Sequence, residues 1–383
     1  MVYRDLLTAV WERGYEGRQH KAIQGVSEEN FLRILEEIAL AAWHGDGRTT
    51  TVREIEEHCA GTGLKQILET FQEGAKAGVT RLLTAFYFRQ KGNRRSGDKT
   101  FEFTHKSFGE YLTARRIVRT LGNMHLQRKR RSENPDDGWD ERDALKAWAE
   151  VCGPTTMERY LFTFVRDEMA LREKATCRDW QLLIQDLWVF LLRHGTPMER
   201  IQPPLTFQEQ MFQSRNAEEA LVACLSACSK VTEEISIVDW PKPDAFGEWL
   251  KRIQGQRTGP NNPLVLGSLD RLDLKSQILF HCDLYDASLD GASLDGANLV
   301  GASLDGASLH GARLHGASLD GASLVGASLV GASLVGAFLH GARFDVASLV
   351  GVLGLTQEQI DSARGNKRIT LPEGLKRPAH WTK

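Results

Sequence analysis

The chain has 383 residues, 42% of them hydrophobic and 26% charged, with a formal net charge of −2. That length holds two or three domains, and the charge balance excludes a globally basic nucleic-acid binder while leaving room for a local basic patch. The six cysteines, Cys59, Cys152, Cys177, Cys224, Cys228 and Cys282, are scattered without a C-x-x-C pair, which speaks against a disulfide framework and for a reducing compartment. No basic segment followed by an apolar core opens the chain. No stretch approaches the roughly 20 apolar residues of a membrane span, so the expected location is the cytoplasm.

From the N-terminus, Phe31 to Trp43 carries apolar residues at helical spacing (Leu32, Ile34, Leu35, Ile38) until Gly45-Asp46-Gly47 breaks it. Short helices are predicted over Val52–Cys59 and Leu64–Ala77. Leu82–Phe88 alternates and is aromatic, as strands are. Lys91 to Asp98 is turn chemistry, and Thr100–Thr104 returns as a second strand. Ser107 and Glu110 have capping-box spacing, which starts a helix at Ser107 and leaves His105 just before it, where a helix N-terminus favours phosphate. Helices followed by a hairpin point to a winged helix over residues 1–122.

The stretch containing Phe103, His105, Ser107, Phe108, Glu110, Tyr111, Ala114 and Arg116 resembles the end of the winged-helix domain of NACHT-type (STAND) signalling ATPases. In that family the histidine of the F-x-H-x-S-F-x-E-Y motif contacts the β-phosphate of bound ADP. The resemblance therefore implies a nucleotide-phosphate contact for His105. It covers roughly Tyr3 to Leu121, with less specific helical similarity to about Gln254. The family's ATPase core lies upstream of this region, and no G-x-x-x-x-G-K-[ST] motif occurs in the chain. His105 is thus a relic, a structural residue at a helix start, or a ligand completed by another chain.

Residues 123–254 read as an α-helical domain, with Trp139, Leu145, Trp148, Trp180, Leu187 and Trp188 as core. Cys224 and Cys228, at i and i+4 without further ligands, read as buried helix thiols. Arg128, Lys129, Arg130 and Arg131, following Arg115, Arg116 and Arg119, form with the wing residues Arg94 and Arg95 a candidate basic patch for nucleic acid. Residues 255–263, with two glycines and two prolines, mark a linker.

From His281 to Val350 the period becomes five. Leucine or phenylalanine recurs fourteen times, from Leu284 to Leu349, with a small residue two before and, usually, glycine two after. This matches neither the helical nor the strand period. If the chain turns once per five residues, four turns close a square of 20, leucine and alanine point inward, and glycine takes the corner. Such a coil cannot bury its core alone, so stacking supplies the stability. The run resembles the pentapeptide-repeat family, with serine mostly replacing the second-position Asp or Asn. The resemblance implies a right-handed quadrilateral β-helix. The leucine register extends back through Leu279, Leu274 and Leu269 to Leu264, so the solenoid is expected over 264–354. A cap helix (Thr356 and Gln359 have capping-box spacing) and tail follow over 355–383.

A 20-residue step stacks Asp290 on His310, Asp295 on His315, and Asp320 on His340, about 4.8 Å apart. These pairs are either a pH- or metal-sensitive surface or exposed decoration. Val325, Val330 and Val335 make one coil more apolar outside, either a contact patch or ordinary exposure. The repeat has seven aspartates, two arginines and no lysine. Acidic members of the family mimic DNA and bind topoisomerase, which the resemblance brings in as a minor reading.

The whole is expected to be an α+β multidomain chain: a winged-helix and α-helical region followed by a right-handed quadrilateral β-helix. No catalytic residues, metal site or cofactor are expected. The expected function is a non-catalytic protein-interaction or regulatory protein, the sensor-side fragment of a STAND/NACHT system, with a P-loop ATPase among candidate protein partners. The alternatives are an ATPase subunit completed in trans and a nucleic-acid- or topoisomerase-binding DNA mimic. Neither nucleic acid nor membrane is an expected partner.

Overall fold

The computed structural model describes Tyr3, Asp5 and residues 27–61, 88–93, 99–255 and 264–381. The predicted helix Leu64–Ala77, the first strand apart from Phe88, the patch residues Arg94 and Arg95, and the linker from 256 to 263 lie outside them. The chain divides into two compact units, Met1–Leu121 with Glu158–Glu168, and Gly122–Met157 with Met169–Lys383.

In the first unit, helix α1 spans Glu28–His44. The Ser27 side chain accepts from the Asn30 amide at 3.2 Å, Glu28 and Glu29 stand at the positive end, and Gly45 stops the helix. A 3-10 turn (Asp46–Arg48), strand β1 (Thr50–Thr51) and helix α2 (Val52–Gly61) follow. Strands β2 (Phe88–Asn93) and β3 (Lys99–Phe103) complete an antiparallel sheet of order β1-β3-β2. Helix α3 spans Lys106–Glu133, of which the part up to Leu121 belongs to this unit. Phe31, Ile34, Leu35 and Ile38 of α1 pack with Ile55, Phe101, Phe103, Phe108 and Leu112 as the core.

Glu36 and Glu37 are 2% and 0% exposed despite their charge. Arg115 bonds Glu36 at 3.1 Å, Arg116 bonds Glu37 at 2.6 Å, and Arg119 bonds both at 2.7 and 3.1 Å. Desolvation of this kind is tolerated only with such pairing. Arg115, Arg116 and Arg119 therefore hold α1 to α3 and do not extend a nucleic-acid face as expected.

In the second unit, helices α4 (Glu141–Cys152), α6 (Lys174–His194), α7 (Phe207–Thr232) and α8 (Ala245–Gly255) form a bundle, while α5 (Arg159–Ala170) contributes its last two residues. Capping boxes open α4 (Asp140 with Asp143) and α7 (Thr206 with Glu209). Trp188 lies edge-on to Trp240 and Trp249, with centroids 5.2 Å away in each case. Of the predicted core residues Leu145, Trp148, Trp180, Leu187 and Trp188 are buried, whereas Trp139 is half-buried.

The same unit continues into the solenoid. Parallel bridges join Ser288 to Ser308, Ser303 to Ser323 and Ser328 to Ser348, a step of 20 residues. From Leu274 to Leu334 each inward leucine amide donates to a carbonyl 19 residues on, as Leu304 does to Ser323 at 2.7 Å, while Ser303 donates back to Cys282 at 3.0 Å. Leu284 through Leu349 and Ala287 through Ala347 are buried. The register holds back to Leu269. At Leu264 it fails, because a 3-10 turn (Leu266–Ser268) turns Val265 and Leu266 inward and leaves Leu264 half-buried.

The ends are closed from within the unit. Ser236 pairs with Leu272 as an added strand position, Pro243 accepts from Ile278 at 2.7 Å, Trp240 donates to Asp273 O at 2.8 Å, and Lys230 pairs with buried Asp270 at 2.7 Å. The helices and the repeat, expected as separate domains with a linker between, thus share one compact unit, and Glu158–Glu168 joins the other. At the far end, α9 (Gln357–Ser362) has the expected Thr356–Gln359 capping box. Gln359 donates to Ala337 O at 2.7 Å, and the tail returns so that Trp381 is buried.

Corner glycines from Gly291 to Gly341 sit at φ between 63° and 71°. Val346 occupies the same corner at φ 62°, where a β-branched side chain is strained. Val346→Gly is expected to raise the unfolding free energy by about 1 kcal/mol, the relieved strain outweighing the added freedom of the unfolded chain. Urea titration at constant m-value measures it, and an unchanged or lower value contradicts the assignment.

Candidate functional site

Each face of the coil presents the second-position residue and the residue after leucine. Along one column the latter run Asp290, His310, Val330, Val350, and along its neighbour Asp295, His315, Val335. The aspartates have a common role. Asp290 accepts from the His310 amide and Asp295 from the His315 amide, both at 3.1 Å, and Asp320 accepts from the His340 amide at 2.9 Å. Asp305 does the same for the Val325 amide at 2.9 Å. The carboxylate therefore caps the next coil's backbone whether or not an imidazole follows.

Imidazole contact is secondary. Nδ1 of His310 lies 3.6 Å from Asp290, and Nδ1 of His315 lies 3.8 Å from Asp295. Asp295 also pairs with Arg313 at 3.1 Å. Among the described residues, Asp320 and His340 meet through the amide alone. The stacking expected for the three pairs is present, but its closest contacts go to the backbone.

The apolar patch differs from the expected Val325, Val330 and Val335. Val325 is half-buried. Val330 and Val335 are exposed and accompanied by Phe338, Val350 and Leu353. Phe338 and Leu353 were legible only as departures from serine at the second position of their repeats.

In the first unit, His105 is exposed, and its carbonyl accepts from the Phe108 amide at 3.1 Å. Helix α3 begins at Lys106, so Ser107 lies inside the first turn and not at the predicted cap. Beside it is a cleft of about 210 Å³ lined by Trp43, Arg48, Phe103, Lys106, Glu110 and Leu161, among others; His105 is not one of its walls. Burial raises the Glu110 carboxyl above its ordinary range, opposed by Arg48 and aided by Glu158. Arg48 itself pairs with Glu158 at 2.9 Å. Three chain segments distant in sequence make this cleft, and no local motif announces it.

The basic patch is smaller than expected. Arg128 donates to Trp139 O at 3.1 Å and pairs with Glu141. Lys129, Arg130 and Arg131 are exposed. Cys224 and Cys228 are fully buried, and burial pushes the Cys224 thiol up.

The family model for pentapeptide repeats matches residues 282–321 and 312–351. This segment is a run of pentapeptide repeats. Solved structures with similarity include a pentapeptide repeat protein from the cyanobacterium Cyanothece 51142, at 31% identity over 27% of this chain and 62% of that one, TM-score 0.17. Another comes from the Arabidopsis thaliana thylakoid lumen, at 30% identity over 23% of this chain and 56% of that one, TM-score 0.17. A third, from Nostoc PCC 7120, has 28% identity over 27% of this chain and 77% of that one, TM-score 0.17. The chain thus spans less than two thirds of the first two relatives' length. No curated protein matches. Among the described residues, no helix is long and apolar enough to cross a membrane.

In these pentapeptide repeats the aspartate-to-amide bonds predict a common cost. Asp320→Ala and Asp305→Ala, which each lose one amide bond, are each expected to lower stability by about 1 kcal/mol. A larger loss for Asp320, erased when the His340 imidazole is neutral, would show that carboxylate–imidazole pairing dominates instead.

Proposed function

We propose that this chain works by binding other proteins and not by turnover, with the pentapeptide-repeat solenoid as the platform. The observation that carries the reading is the set of apolar side chains left exposed at outer positions of the last coils, Val330, Val335, Phe338, Val346, Val350 and Leu353. Apolar groups held at outer positions of a repetitive scaffold are suited to contact with a partner's apolar side chains. In the finer reading the chain is the sensor-side part of a STAND/NACHT signalling system in the cytoplasm. The F-x-H-x-S-F-x-E-Y resemblance supports that reading, and its winged-helix element rests on the same stretch.

A second reading is favoured by one observation. His105 is exposed at the start of a long helix, where it is free to meet nucleotide held by a P-loop partner. Binding to nucleic acid is less favoured, because Arg115, Arg116, Arg119 and Arg128 are committed to carboxylates; the topoisomerase reading, which rests on acidic faces, is less favoured because Asp290, Asp295, Asp305 and Asp320 are each bonded to the next coil's amide.

The test uses the full chain as bait. A partner retained by the wild type is expected to bind at least about tenfold more weakly to a Val335→Asp/Phe338→Asp variant, a loss of at least about 1.4 kcal/mol, and unchanged to Ser303→Asp. Equal retention by all three removes the solenoid platform. If the captured partner is an ATPase, His105→Ala is expected to shorten ADP retention in the complex; unchanged retention removes the in-trans reading.

A further inference from the structure

One serine column on the solenoid forms a natural series. Ser288, Ser308, Ser328 and Ser348 occupy the same position in successive coils, joined by parallel bridges. What lies beneath each hydroxyl changes. Ser288 donates to the Asp270 carboxylate at 2.5 Å and Ser308 to the Asp290 carboxylate at 2.6 Å. Ser328 meets Nε2 of His310 at 2.7 Å. Under Ser348 the corresponding residue is Val330, and among the described residues its hydroxyl has no acceptor.

The bonding assigns the imidazole's tautomer. The Ser308 hydroxyl has one proton, and the charged Asp290 takes it. Ser308 Oγ also lies 3.1 Å from Nδ1 of His310, so at that contact Ser308 accepts and Nδ1 carries the hydrogen. In the neutral imidazole Nε2 then holds a lone pair, to which the Ser328 hydroxyl donates. A directed chain results, from Ser328 through His310 and Ser308 to Asp290. It has the logic of a nucleophile, a base and an orienting anion. His310 and Asp290 have side chains 50% and 43% exposed, so the chain is open to reagents.

We propose that Ser328 is a nucleophile that takes one acyl or phosphonyl group from activated carboxylic esters or phosphonofluoridates, with His310 as its general base and Ser308 and Asp290 as positioning groups. In the phosphonofluoridate case the Ser328 Oγ–P bond forms, the P–F bond breaks, and fluoride leaves; in the ester case the Oγ–C(acyl) bond forms, the acyl C–O bond breaks, and the activated alcohol leaves as its oxyanion. The hydroxyl proton passes to Nε2 of His310 and from there to water. This goes beyond the binding role and needs no turnover, because the product is a modified serine. Ser333, 2.6 Å from Nε2 of His315, has a base but not the full chain: Arg313 replaces the bridging serine and pairs with Asp295 at 3.1 Å.

The experiment is labelling of the full chain with a fluorophosphonate probe, followed by site-resolved mass spectrometry. Ser348 is the internal control, since it is half-buried like Ser328 and lies in the same column without an imidazole. General-base assistance contributes about 10²–10⁴-fold in enclosed sites, and on this open face Ser328 is expected to label at least about tenfold faster than Ser348. His310→Gln, which retains a hydrogen-bonding side chain but no base, is expected to bring Ser328 down to the rate of Ser348. Equal labelling of the two serines in the wild type, including no labelling of either, overturns the proposal. So does a faster Ser328 that His310→Gln leaves unchanged.

Discussion

The closure of a coil every 20 residues is the constraint on which the second unit depends. Parallel bridges and backbone bonds recur at that step from Asp273 to Leu353. Each turn must bring leucine and alanine inside, because the core is only as wide as those side chains. Burying a leucine is worth about 1.5–3 kcal/mol, but a single coil has water above and below it, so the gain is realised only when coils stack. The corner needs a left-handed residue, which glycine supplies at φ near 65° in most repeats. Surface chemistry follows from the same step, since any residue acts on the one 20 positions later. The aspartates thereby become caps for amides, and two serines, Ser328 and Ser333, are brought onto imidazoles.

Closure at the ends follows from that stacking. An open solenoid exposes a coil's worth of leucine and unpaired backbone. At the N-terminal end Ser236, Pro243 and Trp240 take up backbone groups of the first coil, and Phe246 of α8 brings its amide to Gln277. Lys230 meets Asp270, whose carboxylate is itself buried and bonded to Ser288 and to the Asp290 amide. At the other end α9 and the tail do the same with Gln359, Ile360 and Trp381. The first coil tolerates Arg271, Ser276, His281 and Asp286 at left-handed corners, positions where the later coils have glycine.

Legibility followed locality. The inward leucines, the corner glycines and the Thr356–Gln359 cap are short-range patterns, and the structure has them where the sequence placed them. Glu36 and Glu37 stand as two charges inside the apolar run Phe31–Trp43, and nothing local marks them as buried. Their burial depends on arginines about 80 residues away, and one chain's local pattern does not contain that pairing. Arg115, Arg116 and Arg119 were drawn toward a basic surface for the same reason. The 20-residue step correctly stacked Asp290 on His310, but it could not rank an imidazole against the amide beneath it. The relay through Ser308 depends on hydroxyl directions that spacing does not encode. The cleft beside α3 gathers three distant segments, and the union of bundle and solenoid rests on scattered backbone bonds.

The claim that the helices close the solenoid is tested most directly by amide hydrogen exchange on the full chain. In the first coil the Leu274 and Leu279 amides bond to Ser293 and Asn298, as the mid-solenoid Leu304 and Leu309 amides bond to Ser323 and Ser328. With the end closed, the two sets open together and show equal protection, within about a factor of ten in rate. Exchange at Leu274 and Leu279 faster by several orders of magnitude, with Leu304 and Leu309 still protected, would mean a frayed, open end and would contradict the account.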